Sequence, residues 1–186
     1  MAINILALGC IIFIGIHLVP AFGATRDRLV DRLSQNGYMM LFTVLSLVGI
    51  ALMVWGKSKA PHINVWLPPA WGHDAAMVIM FPSMVLLSVA KLPTNIKRFT
   101  PHPMMWGFIL WSFAHLLANG DLASIILFGS IGVYSIVAIL SANQRGVQSS
   151  AEIVSANRET VAVGFGVIVY IAMLYLHPYL FGPKLV

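Results

Sequence analysis

Two histidines lie within apolar stretches of this sequence, where an ionisable side chain is costly. His17 lies in the apolar run at residues 3–20, and His115 lies in another at residues 104–118. Ionisable groups inside a bilayer are rare and usually face the interior of a helix bundle. A neutral imidazole there either hydrogen-bonds a neighbouring helix, which contributes about 0.6 to 2 kcal/mol, or ligates a metal such as haem iron. The spacing of the residues leaves both alternatives open.

The most polar face within an apolar run surrounds His115. Trp111 and Ser112 precede it by four and three residues, and Asn119 follows it by four, so all four share one helix face. Such a face is typical either of a packed helix pair with one hydrogen-bond network or of a cofactor site. His102 is a further candidate, but it is thirteen residues from His115, which is about 20 Å along a helix and about 220° around it. One haem cannot be ligated by both residues of this helix.

Six apolar runs must position these side chains. The chain is 59% hydrophobic and 9% charged, with a mean hydropathy of +0.88, and this composition indicates an integral membrane protein. The runs are continuous and do not alternate, so they predict helices and not barrel strands. We therefore predict an all-α bundle of six transmembrane helices, forming a single domain over residues 1–186. The predicted helices are at about 3–20, 38–55, 72–90, 104–118, 122–140 and 161–177.

The basic residues are distributed unevenly between the loops. Eight of the eleven follow the first, third and fifth runs, namely Arg26, Arg28, Arg32, Lys91, Lys97, Arg98, Arg145 and Arg158. The other three are Lys57, Lys59 and Lys184. The positive-inside rule therefore places both termini outside the cytoplasm. We expect a bacterial inner-membrane protein, whose termini would then be in the periplasm. The net charge of +5 is explained by this topology, and no nucleic-acid partner is expected.

Two polar segments are predicted at the cytoplasmic surface. Residues 25–36 alternate basic, acidic and apolar side chains, which is typical of an amphipathic helix lying on a membrane. Residues 141–160 are rich in Ser, Asn and Gln and are expected to form a solvated connector. The single cysteine, Cys10, excludes an internal disulfide and a cysteine-based metal site, and we expect it to pack in the core.

Four short segments together carry a family resemblance. They read HLVPA at residues 17–21, LPPAWG at 67–72, HPM at 102–104 and HLLANGD at 115–121. Over nearly its whole length the sequence resembles the NnrU family, polytopic bacterial membrane proteins linked to denitrification and the nitric oxide response. The family is also similar to a more distant plant protein, the 15-cis-zeta-carotene isomerase, which binds haem b.

The resemblance implies a haem b site. Its two histidine ligands fall on His17 and His115, with Trp111, Ser112 and His102 as further candidates for binding the cofactor. At the position of a redox-dependent cysteine ligand of the plant protein this sequence has Ser112, so a thiolate ligand cannot form there. If the predicted helix limits are accurate, His17 lies closer in depth to His102, which could then replace His115.

Several functions follow from these interpretations. The leading one is a haem b protein of the inner membrane that acts in denitrification or the nitric oxide response, with the lipid bilayer, haem, and nitric oxide or an apolar substrate as partners. The alternatives are a haem-dependent cis–trans isomerase of a polyene and a non-enzymatic membrane assembly factor. His102-Pro103 and Gly107 also resemble a motif of the isoprenylcysteine carboxyl methyltransferases, but that family needs a Glu-rich segment, and residues 141–160 contain only Glu152 and Glu159.

Overall fold

The computed structural model describes residues 1–182, and the regular secondary structure of that part is helical, with one isolated bridge between Asn64 and Asp121. The prediction of an all-α protein is confirmed. The helices are α1 (Ala2–Leu18), α2 (Gly23–Lys59), α3 (Gly72–Val89), α4 (Ile96–Phe99), α5 (Pro103–Ala118), α6 (Leu122–Gln144) and α7 (Ala156–Phe181).

Within residues 1–182, five helices are long and apolar enough to cross a membrane: α1 with the short 3-10 turn after it, α2, α3, α6 and α7. The helix α5 is also apolar but has 16 residues. This corresponds to about 24 Å, against a hydrocarbon core of about 30 Å. The prediction of an integral membrane helical protein is thus supported, whereas the sixth span is not confirmed.

The helix α2 joins two segments that were predicted separately. The surface segment expected at 25–36 and the span expected at 38–55 form one 37-residue element with a kink at Ser34. Ser34 has φ 64° and ψ 167°, a conformation that is strained for any residue except glycine. Its hydroxyl accepts a hydrogen bond from the N–H of Gly37 at 3.3 Å, as a helix N-cap does. Residues 35–59 therefore form the apolar span, and residues 23–33 precede the kink.

The connector between α6 and α7 is shorter than predicted. Polar residues 141–144 continue α6, and α7 starts at Ala156, so the connector is 145–155 instead of 141–160. A helix can extend beyond its apolar run because its backbone hydrogen bonds are internal and its polar side chains can reach water. A π turn at Ile125–Gly129 interrupts the regular geometry of α6 near its start.

The helices pack in the spatial order α2, α1, α6, α5, α3, α7. Glycines allow the closest approach, because a Cβ at Gly49 of α2 would lie 2.8 Å from the Cβ of Phe13 in α1. Between α3 and α5, the Ser83 hydroxyl donates to the carbonyl of Gly107 at 2.8 Å. Each candidate histidine helix is therefore in direct contact with α6.

The loops after α1, α3 and α6 meet at one end of the bundle, which we call the basic end. Arg145 donates to the carbonyl of Ala21 at 3.4 Å, and the N–H of Ser150 donates to the carbonyl of Lys97 at 2.9 Å. All the basic residues predicted to be cytoplasmic lie in or beside these loops. At the opposite end, residues 60–71 form a non-helical segment, which we call the strap.

Candidate functional site

His17 is partly buried among aromatic rings of three helices. Its ring centroid lies 4.0 Å from that of Phe13 in α1, 4.8 Å from Phe42 in α2 and 6.1 Å from Tyr134 in α6. Its Nδ1 donates a hydrogen bond of 2.8 Å to the carbonyl of Phe13. Because a carbonyl only accepts, Nδ1 carries the proton, and in the neutral ring the lone pair is on Nε2.

His115 has the same local arrangement on α5. Its Nδ1 donates to the carbonyl of Trp111 at 2.8 Å, again four residues earlier in the same helix. Its ring stacks on Phe128 of α6 with centroids 4.2 Å apart, and it lies 4.7 Å from the Trp111 ring. The Nε2 of His115 therefore also keeps the lone pair in the neutral ring.

This shared arrangement fits what a metal ligand requires. A ligating histidine usually donates its other ring N–H to a carbonyl or carboxylate, which fixes the tautomer and the ring orientation. His17 and His115 each meet that requirement through a backbone carbonyl of their own helix. Considered one at a time, both residues fit an axial ligand of haem iron.

Helix α6 lies between the two histidines. A Cβ at Gly132 would lie 3.0 Å from the Cβ of Ser112 in α5, whereas Tyr134 faces His17 in α1. Gly132 and Tyr134 are two positions apart in sequence, which corresponds to about 200° around the helix axis. α1 and α5 therefore pack on opposite faces of α6. The ring contacts and hydrogen bonds of His17 and His115 involve different residues. The structure brings each histidine to α6 and does not bring the two side by side; their ligation of one iron stays a prediction.

Two of the other three residues predicted on this face of α5, Trp111 and Ser112, pack against α6. The prediction for Asn119 was wrong, because α5 ends at Ala118 and Asn119 is its C-cap in an extended conformation. Trp111 lies 4.8 Å from Phe128, ring centroid to ring centroid. Ser112 is only 3% exposed, and its Oγ is a buried polar atom without a hydrogen-bond partner among residues 1–182. A buried hydroxyl without a partner typically costs about 1 to 3 kcal/mol. This hydroxyl, one turn from His115, is a group that a bound cofactor could satisfy.

His102 lies apart from this face, at the basic end. It is the N-cap of α5, and its Nε2 donates to the Oδ1 of Asn143 in α6 at 2.7 Å. Its Nε2 is therefore engaged, whereas the Nε2 of His115 has no hydrogen bond to residues 1–182. His102 is at the opposite end of α5 from His115, but it is at the same end of the bundle as Ala21, four residues after His17.

A comparison with known protein families identifies the family of this chain. The family described as NnrU protein matches residues 5–185. This chain belongs to the NnrU family. The resemblance read from the four short segments is thereby confirmed. No curated protein and no solved structure matches the chain.

This NnrU family protein also has a buried ion pair that sequence reasoning missed. The Lys57 ammonium lies 3.0 Å from Asp121 Oδ1 and 2.6 Å from the Ser124 hydroxyl, and the Asp121 side chain is 6% exposed. Burial by itself raises the pKa of the Asp121 carboxyl, but hydrogen bonds from Ser124 and Lys57 outweigh it and lower the pKa to about 2. The Asp-x-x-Ser spacing is a helix N-cap signal, whereas no local pattern indicates Lys57 as the partner.

The end of the HLLANGD segment, residues 115–121, meets the strap. The N–H groups of Val65 and Trp66 both donate to the carbonyl of Gly120, at 2.9 and 3.2 Å, and the N–H of Leu122 donates to Ile63 at 2.8 Å. A Cβ at Gly120 would collide with the carbonyl of Trp66, so this close approach requires glycine. The strap and the turn before α6 therefore form one unit, which also contains Asp121.

Proposed function

We propose that this NnrU family protein binds haem b within the membrane and acts in denitrification or the nitric oxide response. The observation that carries the proposal is the matched anchoring of His17 and His115. Each Nδ1 donates to a carbonyl of its own helix, and each Nε2 keeps its lone pair. A histidine that only fastened the bundle would be expected to bond a neighbouring helix instead. The unpartnered hydroxyl of Ser112, on the same face of α5, also supports a bound group.

In this proposal His17 and His115 would hold the haem, with Trp111 and Ser112 beside His115. In the structure α6 packs against both α1 and α5, and the two histidines contact different residues of α6, His17 contacting Tyr134 and His115 contacting Phe128. Haem b, when bound, supplies electron transfer with two histidine ligands, or a binding position for nitric oxide or an apolar substrate with one.

The proposal includes a topology. The helix α5 crosses the inner membrane as a sixth span, and both termini lie in the periplasm. The support is that α5 packs between α3 and α6, with Gly107, Ser112 and Ala114 buried, and that the basic loops meet at one end. Cysteine residues placed in the connector 145–155 and in the strap, in a Cys10→Ala background, test it. A membrane-impermeant thiol reagent added to intact spheroplasts is expected to label the strap and not the connector, and the reverse would overturn the orientation.

Absorption spectroscopy of detergent-purified protein from haem-replete cells tests the cofactor. The expected result is a Soret band with α and β bands on reduction. His115→Ala is expected to abolish or shift this spectrum. The control is His102→Ala, which is expected to leave the spectrum mostly intact because the Nε2 of His102 is bonded to Asn143.

The His17→Ala variant then distinguishes the two ligation states. A low-spin spectrum that becomes high-spin in His17→Ala would support two histidine ligands on one iron, while a high-spin spectrum unchanged by His17→Ala would support His115 alone. Colourless protein that shows no spectral change on adding haem would overturn the proposal. The non-enzymatic assembly factor would then be the better interpretation.

A further inference from the structure

A cleft at the basic end is lined by neither His17 nor His115, so it is separate from the two residues proposed to ligate haem. It is formed between the end of α3 and the start of α5, and its volume is about 170 Å³. This is several times the roughly 30 Å³ that a water molecule occupies in the liquid and less than the roughly 300 Å³ of the smallest drug-sized pockets. A small group, such as a phosphate, fits this size.

The charged and titratable groups that line the cleft are basic. They are Lys91, Lys97 and His102, and no carboxylate is among the lining residues. In the part of the chain that the structure describes, neither lysine forms an ion pair. Two acidic residues belong to neighbouring segments, and neither lines the cleft. Glu152 lies in the connector, two residues after the Ser150 that bonds the carbonyl of Lys97, and the Glu159 carboxylate accepts hydrogen bonds from Thr94 and Asn95 at 2.8 and 2.6 Å. The cleft therefore favours an anion.

Backbone groups at the start of α5 add to this preference. The helix begins at Pro103 without a side-chain cap, and Met104 and Met105, which carry two of its first N–H groups, both line the cleft. The first N–H groups of a helix and the positive end of its dipole favour negative charge nearby. This contribution is additional to that of the two lysines.

The position of the cleft indicates where the anion comes from. It opens just beyond Val89, the last residue of the α3 span, and therefore at the depth of the lipid headgroups, which add about 5 to 8 Å on each side of the hydrocarbon core. The adjoining helix α4 carries Phe99, which is 87% exposed beside Arg98. An exposed aromatic side chain next to basic residues is typical of a segment that lies in a membrane interface.

We propose that this cleft binds the phosphate of an anionic phospholipid headgroup through Lys91 and Lys97. Each lysine near an anionic lipid surface contributes roughly a five-fold gain in binding, so the loss of both is expected to weaken the lipid's affinity about 20- to 30-fold. The phosphate chemistry is shared with free inorganic phosphate. The experiment therefore needs one arm for each source.

The test measures the apparent melting temperature of the full chain in neutral detergent during titration with phosphatidylglycerol. Phosphatidylcholine and inorganic phosphate at equal ionic strength are the other two arms. We expect phosphatidylglycerol to raise the melting temperature of the wild type, with phosphatidylcholine and inorganic phosphate having little effect. The Lys91→Gln/Lys97→Gln variant is expected to need at least 20-fold more phosphatidylglycerol for the same rise, and Lys91→Arg/Lys97→Arg to behave like the wild type.

The matched control is Arg28→Gln/Arg32→Gln, which removes two charges at the same end but outside the cleft. Equal losses of lipid response in this control and in the lysine variant would show diffuse attraction to the surface and overturn the cleft site. Stabilisation by inorganic phosphate alone would overturn the lipid assignment. No response to phosphatidylglycerol in the wild type would overturn the proposal. If the lysine variant has a different starting melting temperature, the lipid adducts counted by native mass spectrometry give the same comparison.

Discussion

Replacing Asp121 with Asn is expected to destabilise the end of the bundle that carries the strap. The Asp121 side chain is 6% exposed, and its carboxylate accepts hydrogen bonds from Lys57, at 3.0 Å, and from the N–H and hydroxyl of Ser124. Asparagine keeps an acceptor for the helix cap but removes the negative charge that Lys57 faces. The ammonium is left with a neutral partner beside a buried turn.

The expected loss of folding free energy follows from the pKa of Asp121, which is about 2 compared with an ordinary value of 3.8. At about 1.36 kcal/mol per pH unit, this depression corresponds to roughly 2 kcal/mol of folding free energy. A partner removed from a fully buried pair costs about 3 to 5 kcal/mol, and the smaller value here agrees with the 33% exposure of the Lys57 side chain, which can turn towards water. For a protein of this size the expected fall in melting temperature is about 4 to 8 °C.

The contribution of Asp121 to the stability of the fold decreases in acid. Because the pKa of Asp121 is lower in the folded state, its contribution to stability is fully present above pH ~5 and is lost as the pH falls through about 4 towards about 2. The variant has no carboxyl at this position and cannot show that loss. The difference in melting temperature between wild type and variant should therefore narrow in acid.

The assay is thermal unfolding in detergent between pH 7 and pH 3, followed by tryptophan fluorescence. Asp74→Asn is the matched control, because Asp74 lies at the same end with its side chain 83% exposed and 3.8 Å from His73. Exposed ion pairs contribute about 0 to 1 kcal/mol, so this variant should melt within about 3 °C of the wild type. An Asp121→Asn variant that melts no lower than the control, or a difference that does not change with pH, would refute the reasoning.

Three further substitutions test the packing. Gly120→Ala should detach the strap, because a methyl group there meets the carbonyl of Trp66; faster amide hydrogen exchange at Trp66 would show it, and unchanged exchange would contradict it. Glu159→Gln should weaken the anchoring of the loop between α3 and α4 to α7 by about 1 to 2 kcal/mol and speed the proteolysis of that loop; cleavage at the wild-type rate would argue against that role. Ser112→Ala should leave the melting temperature of the cofactor-free protein equal or higher, since no hydrogen bond is lost; a clear fall would mean that the hydroxyl has a partner.

The apolar runs predicted where the helices are, because helices that face lipid require continuous apolar sequence. They did not predict where the helices end. Polar residues 141–144 and 156–160 are helical because water satisfies their side chains while the backbone bonds stay internal. The kink at Ser34 was also missed, since it needs a positive φ at a residue that carries no glycine signal.

The local part of the candidate site could be anticipated, and its assembly could not. Helix geometry places the carbonyl four residues earlier within reach of each histidine ring, and both rings bond it. The position of α6 between α1 and α5 depends on tertiary packing, which the run lengths do not encode. The pairing of Lys57 with Asp121 spans 64 residues and has no local signal for the same reason.

The π turn at Ile125–Gly129 gives α6 one more residue than a regular helix would need between its two ends. Because the wide turn absorbs the extra residue, removing one residue there would restore regular winding and leave the residues after the turn on the faces that they now occupy. Tyr134 would then stay beside His17. A deletion later in α6, where the winding is regular, would instead rotate everything after it by about 100°. The π turn is therefore the place where α6 accepts a change of length without turning the faces that it offers to α1 and α5.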